Sequence, residues 1–351
     1  MSPPRRPVPG SEPDPSFAGL SVLIVGLGSI GYRHLKNLAR LGLTDIILLR
    51  TGSGRRGLDS RLGFPVETDL ARALRRRPTA VLVSNPTSCH MDTALAAAEA
   101  GCHLFLEKPL SHSWTGVPEL GRLVRDRSLV AMTGFQFRFH PLLGTVKRWL
   151  DEGRLGPIIS CRAEYGEYLP SWHPEEDYRR GYSARAGLGG GPVLTLSHPF
   201  DYLRWLLGPV RSVAGATAKL SRLEIDTEDT AHAVLRFACG TLGAVELDYI
   251  QRPQRHALQV VGEGGTAHLD FGAGSACLSP ADGGHPLTAF APPEFERNTL
   301  FVDEMRNFLS ALIGSEGPAC TLEDGVRALE ISLAVHRSAQ ERREVDVEVP
   351  L

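Results

Sequence analysis

Two short stretches of this 351-residue chain hold residues whose types and spacing could do chemistry. The first is Gly26-Leu27-Gly28-Ser29-Ile30-Gly31, a G-x-G-x-x-G run. Glycine at the first position permits a tight turn, at the second it lets backbone approach a pyrophosphate, and at the third it allows a helix to pack closely on a strand. The N–H groups that open such a helix, around Ser29 and Ile30, can then hold phosphate oxygens. The second stretch is Glu107-Lys108-Pro109. A lysine beside an oxidised, cationic nicotinamide is disfavoured as an ammonium, so its proton affinity falls into a useful range. Oxidising a carbinol, or reducing its ketone, needs such a proton-transfer group together with a hydride path to the nicotinamide.

A glycine loop binds phosphate only in a particular setting. Residues 21–25 form an apolar run suited to a buried parallel strand, and Tyr32, Leu35, Leu38 and Ala39 continue the loop as a helical segment. Further strands are expected at 45–49, 64–66, 80–84 and 103–106, with helices between them. This alternation predicts a parallel sheet with right-handed crossovers, whose ligands lie beyond the carboxyl ends of the strands. Gly26, Asn85 and the Glu107-Lys108 pair all fall at that edge. Thr87, Ser88 and His90 follow the same strand end as Asn85 and are candidates for the nicotinamide ribose, although His90 could equally cap its helix.

Where an NAD-binding fold usually carries an acidic residue for the ribose 2′-hydroxyl, this chain has Arg50. Arg50 with Thr51, Ser53 and Arg55 could grip a 2′-phosphate through paired donors, which favours NADP(H) over NAD(H). The plainer alternative is a solvated basic loop.

The second half reads differently. Strand character recurs at 157–168, 210–220, 230–237, 241–249, 257–261 and 266–271, with alternation clearest in the third and fourth of these. Helices are expected at 141–152, 300–313 and 321–340. Residues 169–191 lack apolar periodicity but are dense in aromatic and arginine side chains, a make-up that suits a functional loop. The expected fold class is α/β, with an N-terminal dinucleotide-binding domain at 18–137 and a C-terminal α+β domain with a largely antiparallel open sheet at 138–340, whose C-terminal helix could pack back on the first domain. The six prolines among residues 1–16 make 1–17 read as a disordered leader.

A formal charge of -2 offers no electrostatic case for nucleic acid or an anionic membrane. Six scattered cysteines, with no C-x-x-C pair and no Cys/His cluster, suit a reduced, cytoplasmic protein without a structural metal. No apolar stretch is long enough to span a bilayer.

Taken in order, the glycine loop, the Glu107-Lys108-Pro109 strand end and the turn Gly189-Gly190-Gly191 into a helix bearing His198 and Asp201 resemble the Gfo/Idh/MocA family of oxidoreductases. The resemblance runs from about Leu20 to the C-terminal helix. It implies a Rossmann domain, a nicotinamide cofactor, a cis Lys108–Pro109 bond, and Lys108 and His198 as the groups that handle the proton. The family has an aspartate where this chain has Thr195, so the implied catalytic set is Lys108 with His198, Thr195 as a hydrogen-bonding hydroxyl and Asp201 three residues beyond the histidine. Arg138, Tyr165, Trp172, Tyr178, Tyr182 and Arg185, with His198, are the implied substrate contacts. Aromatic faces and arginines suit a sugar, nucleotide sugar or cyclitol. The family also implies a homo-oligomer, dimer or tetramer, through an uncovered apolar face of the second sheet. Two rival functions remain at this level: an NAD-dependent redox glycosidase of the same superfamily, and a dinucleotide-responsive regulatory protein without catalysis.

Overall fold

The computed structural model describes residues 13–50 and 63–347, in two compact units. One comprises residues up to 136 together with 293–325, and the other comprises 137–292 with 326 onward. Thr51, Ser53 and Arg55 lie outside the described residues, as do residues 1–12 of the expected leader. Residues 13–17 of that leader belong to the fold instead. Asp14 caps a short 3-10 turn, Pro15–Phe17, and Phe17 is buried, because an aromatic ring gains more from the core than a free terminus gains in entropy.

The first unit is built on six parallel strands: β1 (Ser21–Val25), β2 (Asp45–Leu49), β3 (Val66–Glu67), β4 (Ala80–Val83), β5 (His103–Glu107) and β6 (Ala131–Gly134), in the order β3-β2-β1-β4-β5-β6. Their central residues are buried on both faces, as continuous apolar runs require. Helices α1 (Ser29–Arg40), α2 (Leu70–Leu74), α3 (His90–Glu99) and α4 (Val117–Asp126) connect them. The order reverses between β1 and β4, so the two chain segments leaving these strands diverge and open a crevice at their carboxyl ends.

Helix α5 (Pro141–Asp151) begins the second unit, which holds a nine-stranded sheet: β7 (Ile158–Gly166), β8 (Val210–Ala218), β9 (Thr230–Phe237), β10 (Leu242–Asp248), β11 (Arg255–Gly262), β12 (Gly265–Asp270), β13 (Ser275–Pro280), β14 (Leu287–Phe290) and β15 (Val345–Asp346). Every neighbouring pair is antiparallel except β7 with β10. Short helices α6 (Pro192–Thr195) and α7 (His198–Leu207) precede β8, and α8 (Arg297–Leu312) and α9 (Leu322–Glu341) follow β14.

The chain passes from the first unit to the second at residues 136 and 137, and residues 293–325 lie again with the first. Helix α8 returns to the first unit, where Asn298 donates to Asn37 of α1 at 3.0 Å and Phe301 lies beneath Arg33 at 4.4 Å. Its buried Leu300, Phe301, Met305 and Phe308 explain the return, since an apolar stripe of that length must be covered.

Strand alternation in the second unit buries one sheet face and exposes the other. The exposed face is mixed: Val234 and Leu242 stand exposed on β9 and β10, as the expected apolar surface requires, beside charged residues. It carries a ladder of ion pairs: Arg162 with Glu246 and Glu164 at 2.7 and 3.0 Å, and Arg255 with Glu164 and Asp270 at 3.1 and 2.9 Å. Opposite charges on adjacent strands satisfy one another there. Among the described residues no helix is long and apolar enough to cross a membrane.

Candidate functional site

Three glycines shape the turn between β1 and α1, each under a different constraint. Gly26 has φ 93°, and a Cβ on it would lie 2.5 Å from the Asn85 nitrogen. A Cβ on Gly31 would lie 2.0 Å from the Gly26 carbonyl oxygen. Both positions are therefore dictated by the protein's own backbone. A Cβ on Gly28 would meet nothing within 4 Å. Gly28 also stands at the N-cap of α1, where no side chain caps the helix, so the space beside it and the N–H groups of Ser29 and Ile30 fit a dinucleotide pyrophosphate. Ser84, which the sequence reading did not single out, donates from its hydroxyl to the Gly26 carbonyl at 2.8 Å and pins the turn to the end of β4.

The neighbouring candidates are tied into this edge. Asn85 donates to the Thr93 hydroxyl at 3.0 Å, and Thr87 is buried. His90 is 2% exposed, with its ring nitrogens 3.0 Å from the carbonyl oxygens of Pro109 and Asn85. Burial pushes its pKa down against the pull of the carbonyls, and the ring braces the ends of β4 and β5. Arg50 closes β2, and its amide donates to the Glu67 carbonyl at 3.0 Å. The Glu67 carboxylate is held by Arg72 and Arg76 at 3.1 and 2.9 Å.

Lys108 follows β5, partly exposed, and the Lys108–Pro109 bond is cis. Glu107 is 7% exposed and points its carboxylate inward. One oxygen lies 2.6 Å from His34 Nε2, and the other accepts the Lys108 amide at 3.2 Å. Glu304 of α8 approaches the same two side chains, with one ligating atom from each of the three residues within 4.8 Å of the others.

In the second unit, Gly189, Gly190 and Gly191 lead into a broken helix. Gly191 has φ 95°, and a Cβ there would strike the Glu228 carboxylate. Helix α6 ends at Thr195 and α7 starts at His198, which leaves Pro199 in the first turn of α7, where its missing N–H costs nothing. Thr195 is buried, donates to the Gly191 carbonyl at 2.8 Å and shares a hydrogen bond with the hydroxyl of Tyr249. Tyr249 is fully buried, and burial holds its phenol well above the usual range.

His198 is 3% exposed and belongs to a cluster of rings from four parts of the sequence. Phe137 meets it edge-on at 4.7 Å, and Tyr165 lies 6.2 Å away. Tyr165, His256 and Phe271 form a stack with centroid spacings of 4.0 and 3.9 Å. His140 packs against Phe271 at 5.0 Å, and burial lowers its pKa to about 4. Asp201 and Arg138 are given to each other in a buried bidentate pair, with contacts of 2.6 and 3.0 Å. The remaining candidates lie on the 169–191 segment, which folds as four 3-10 turns. Trp172 packs edge-on to Tyr249 at 5.5 Å, Tyr182 is half-buried, the Tyr178 hydroxyl accepts the Glu224 amide at 3.2 Å, and Arg185 lies 3.6 Å from Asp226. Tyr249, His256 and Phe271 were missed because a lone ring on a strand or at its end reads as core until its neighbours are known.

Comparison with known proteins agrees with the fold of both units. A family model described as an oxidoreductase family with an NAD-binding Rossmann fold matches residues 20–135, and one described as the GFO/IDH/MocA C-terminal domain matches residues 143–268. Myo-inositol 2-dehydrogenase of Thermotoga maritima is 28% identical over 343 residues, 93% of this chain and 98% of that protein. Inositol 2-dehydrogenase of Rhizobium meliloti is 26% identical over 341 residues, 92% of this chain and 98% of that protein. A levoglucosan dehydrogenase solved in complex with NADH shares the fold, with TM-score 0.85 at 20% identity over 94% of this chain and 99% of its own. Between them the two family models cover residues 20–135 and 143–268, most of the chain: it belongs to the GFO/IDH/MocA family of oxidoreductases.

Proposed function

We propose that this protein transfers a hydride between NADP(H) and a ring hydroxyl or ketone of a sugar, nucleotide sugar or cyclitol. The nicotinamide supplies the hydride acceptor or donor when bound. Lys108 holds the reacting oxygen, and His198 exchanges its proton. The observation that carries this reading is the position of Lys108 at the carboxyl end of β5, on the same sheet edge as the glycine turn. Names of relatives that act on inositol support the substrate class.

Arg50 at the end of β2 supports the choice of NADP(H), and the nearest strand-end carboxylate, Glu67, is already engaged by two arginines. Thr51, Ser53 and Arg55 belong to the same reading. Asn85 and Thr87 line the nicotinamide side, and His90 braces it. Of the aromatic candidates, Tyr165 and Trp172 come from buried ring clusters, and Arg138 orients α7 through Asp201. All six cysteines are unbridged, which suits a cytoplasmic protein. A homodimer or tetramer through the exposed face of the nine-stranded sheet belongs to the same reading, supported by Val234 and Leu242 exposed on that face.

Fluorescence titration with NADPH and NADH, followed by turnover on polyols at 340 nm, tests the reading. NADPH is expected to bind at least about tenfold tighter, roughly 1.4 kcal/mol. Lys108→Ala is expected to lower turnover by about a thousandfold or more while dinucleotide still binds. Tighter NADH binding would reverse the assignment of Arg50, and full turnover in Lys108→Ala would remove Lys108 from the chemistry.

A further inference from the structure

The carboxylate of Glu107 is buried, with 9% of its side chain exposed, and both of its oxygens are engaged. His34 of α1 is fully buried between the ring edges of Phe105 and Phe301, at 5.3 and 6.0 Å, and its Nε2 lies 2.6 Å from one Glu107 oxygen. The other oxygen accepts the Lys108 amide at 3.2 Å. Glu304, also fully buried, closes the group from α8. Burying three polar side chains is costly compared with an apolar filling of the same volume. Packing alone does not account for them.

We propose that His34 is a positioning residue for Lys108, acting through Glu107, with the buried Glu304 carboxyl closing the same pocket. This rests on the reading that Lys108 works beside the nicotinamide. His34 lies on the helix whose N-terminus carries the glycine turn, so one side chain sets the spacing between the pyrophosphate cradle and the lysine. Displacing a reacting group by about 1 Å can cost about a hundredfold in rate. Ligand affinity can be spared, because the cradle itself is made by backbone.

The test compares His34→Leu with His34→Gln, whose side-chain amide can still donate to Glu107. Lys108 is labelled with acetic anhydride and read by peptide mapping against Lys36, Lys147 and Lys219, alongside NADPH binding by fluorescence and thermal melting. His34→Leu is expected to change the relative labelling rate of Lys108 at least fivefold with NADPH affinity within twofold of wild type. His34→Gln is expected to restore the wild-type rate, and Glu304→Gln to shift it in the same direction as His34→Leu. An unchanged rate in His34→Leu overturns the inference, as does a fall of labelling, affinity and melting temperature together in both His34 variants, which marks a plain core residue. Stabilisation of wild type by Zn2+ that is lost in His34→Gln also overturns it, because the three side chains would then be ligands. The underlying reading is checked separately: saturating NADPH should protect Lys108 in the wild type. Absence of protection sinks the function, whereas protection with an unchanged His34→Leu rate sinks only the role of His34.

Discussion

The glycine turn of the first unit and the ring cluster of the second are both candidate functional centres, built on opposite principles. The turn is made of backbone. Its residues are consecutive, Gly26 and Gly31 are required by carbonyl and amide groups 2.5 Å away or less, and Gly28 is left beside open space. The cluster is made of side chains. Phe137, Tyr165, His198, His256 and Phe271 are each buried or half-buried by the others, and the ionic pair Arg138 and Asp201 is sealed nearby. A backbone site tolerates any side chain that does not collide with it. A side-chain site tolerates few changes, and each is felt first as stability.

Substitutions at the turn should separate fold from ligand most sharply. Gly31→Ala forces a backbone collision and is expected to cost about 4 kcal/mol or more by thermal or urea unfolding, with dinucleotide binding lost as a consequence. Gly28→Ala should leave unfolding unchanged and weaken dinucleotide binding by about tenfold or more. Equal losses of stability at both positions would break the contrast. In the second unit, Arg138→Ala strands the Asp201 carboxylate in the interior and is expected to cost about 3–5 kcal/mol, readable in urea unfolding. A loss below about 1 kcal/mol would mean that water reaches the pair.

His140 sharpens the comparison through pH. Its pKa is lowered to about 4 in the folded protein by burial, whereas an unfolded chain titrates near about 6.5. On acidification the unfolded state takes up the proton first. Stability that is present above about pH 6.5 is therefore lost as pH falls towards 4, up to about 3 kcal/mol from this group. His140→Phe should flatten the melting curve against pH across that window. The same acid dependence in the variant would assign the effect to other groups. Smallest of all should be Arg162→Ala on the exposed ladder, below about 1 kcal/mol for a solvent-facing pair. A several-fold larger loss accompanied by a smaller sedimenting species would put that face in a subunit interface.

Much of the first unit was legible before the fold was known. Its strands are continuous apolar runs, its turn is a local motif, and Lys108 ends a strand, so each feature depends on neighbours in the chain. The second unit was legible as a sheet but not as a site. His198 and Thr195 were found through resemblance, whereas Tyr249, the partner of Thr195, lies 54 residues away and carried no local signal. Asp201 and Arg138 were expected to serve catalysis and substrate, and only the fold pairs them. The open sheet face was expected to be apolar, and Val234 and Leu242 are exposed there; the ion pairs beside them were not legible, because strand alternation reveals which residues face outward but not which charges oppose one another across strands.

By itself, then, the sequence determined the parallel sheet, the glycine turn and the placing of Lys108 at a strand end, because periodicity and backbone permissiveness are properties of adjacent residues. Only the tertiary structure decided that helix α8 returns to the first unit and that His34, Glu107 and Glu304 converge from positions 34, 107 and 304. No spacing rule connects such residues. They meet because burying apolar surface brings distant segments together, and polar groups carried inside must then find partners.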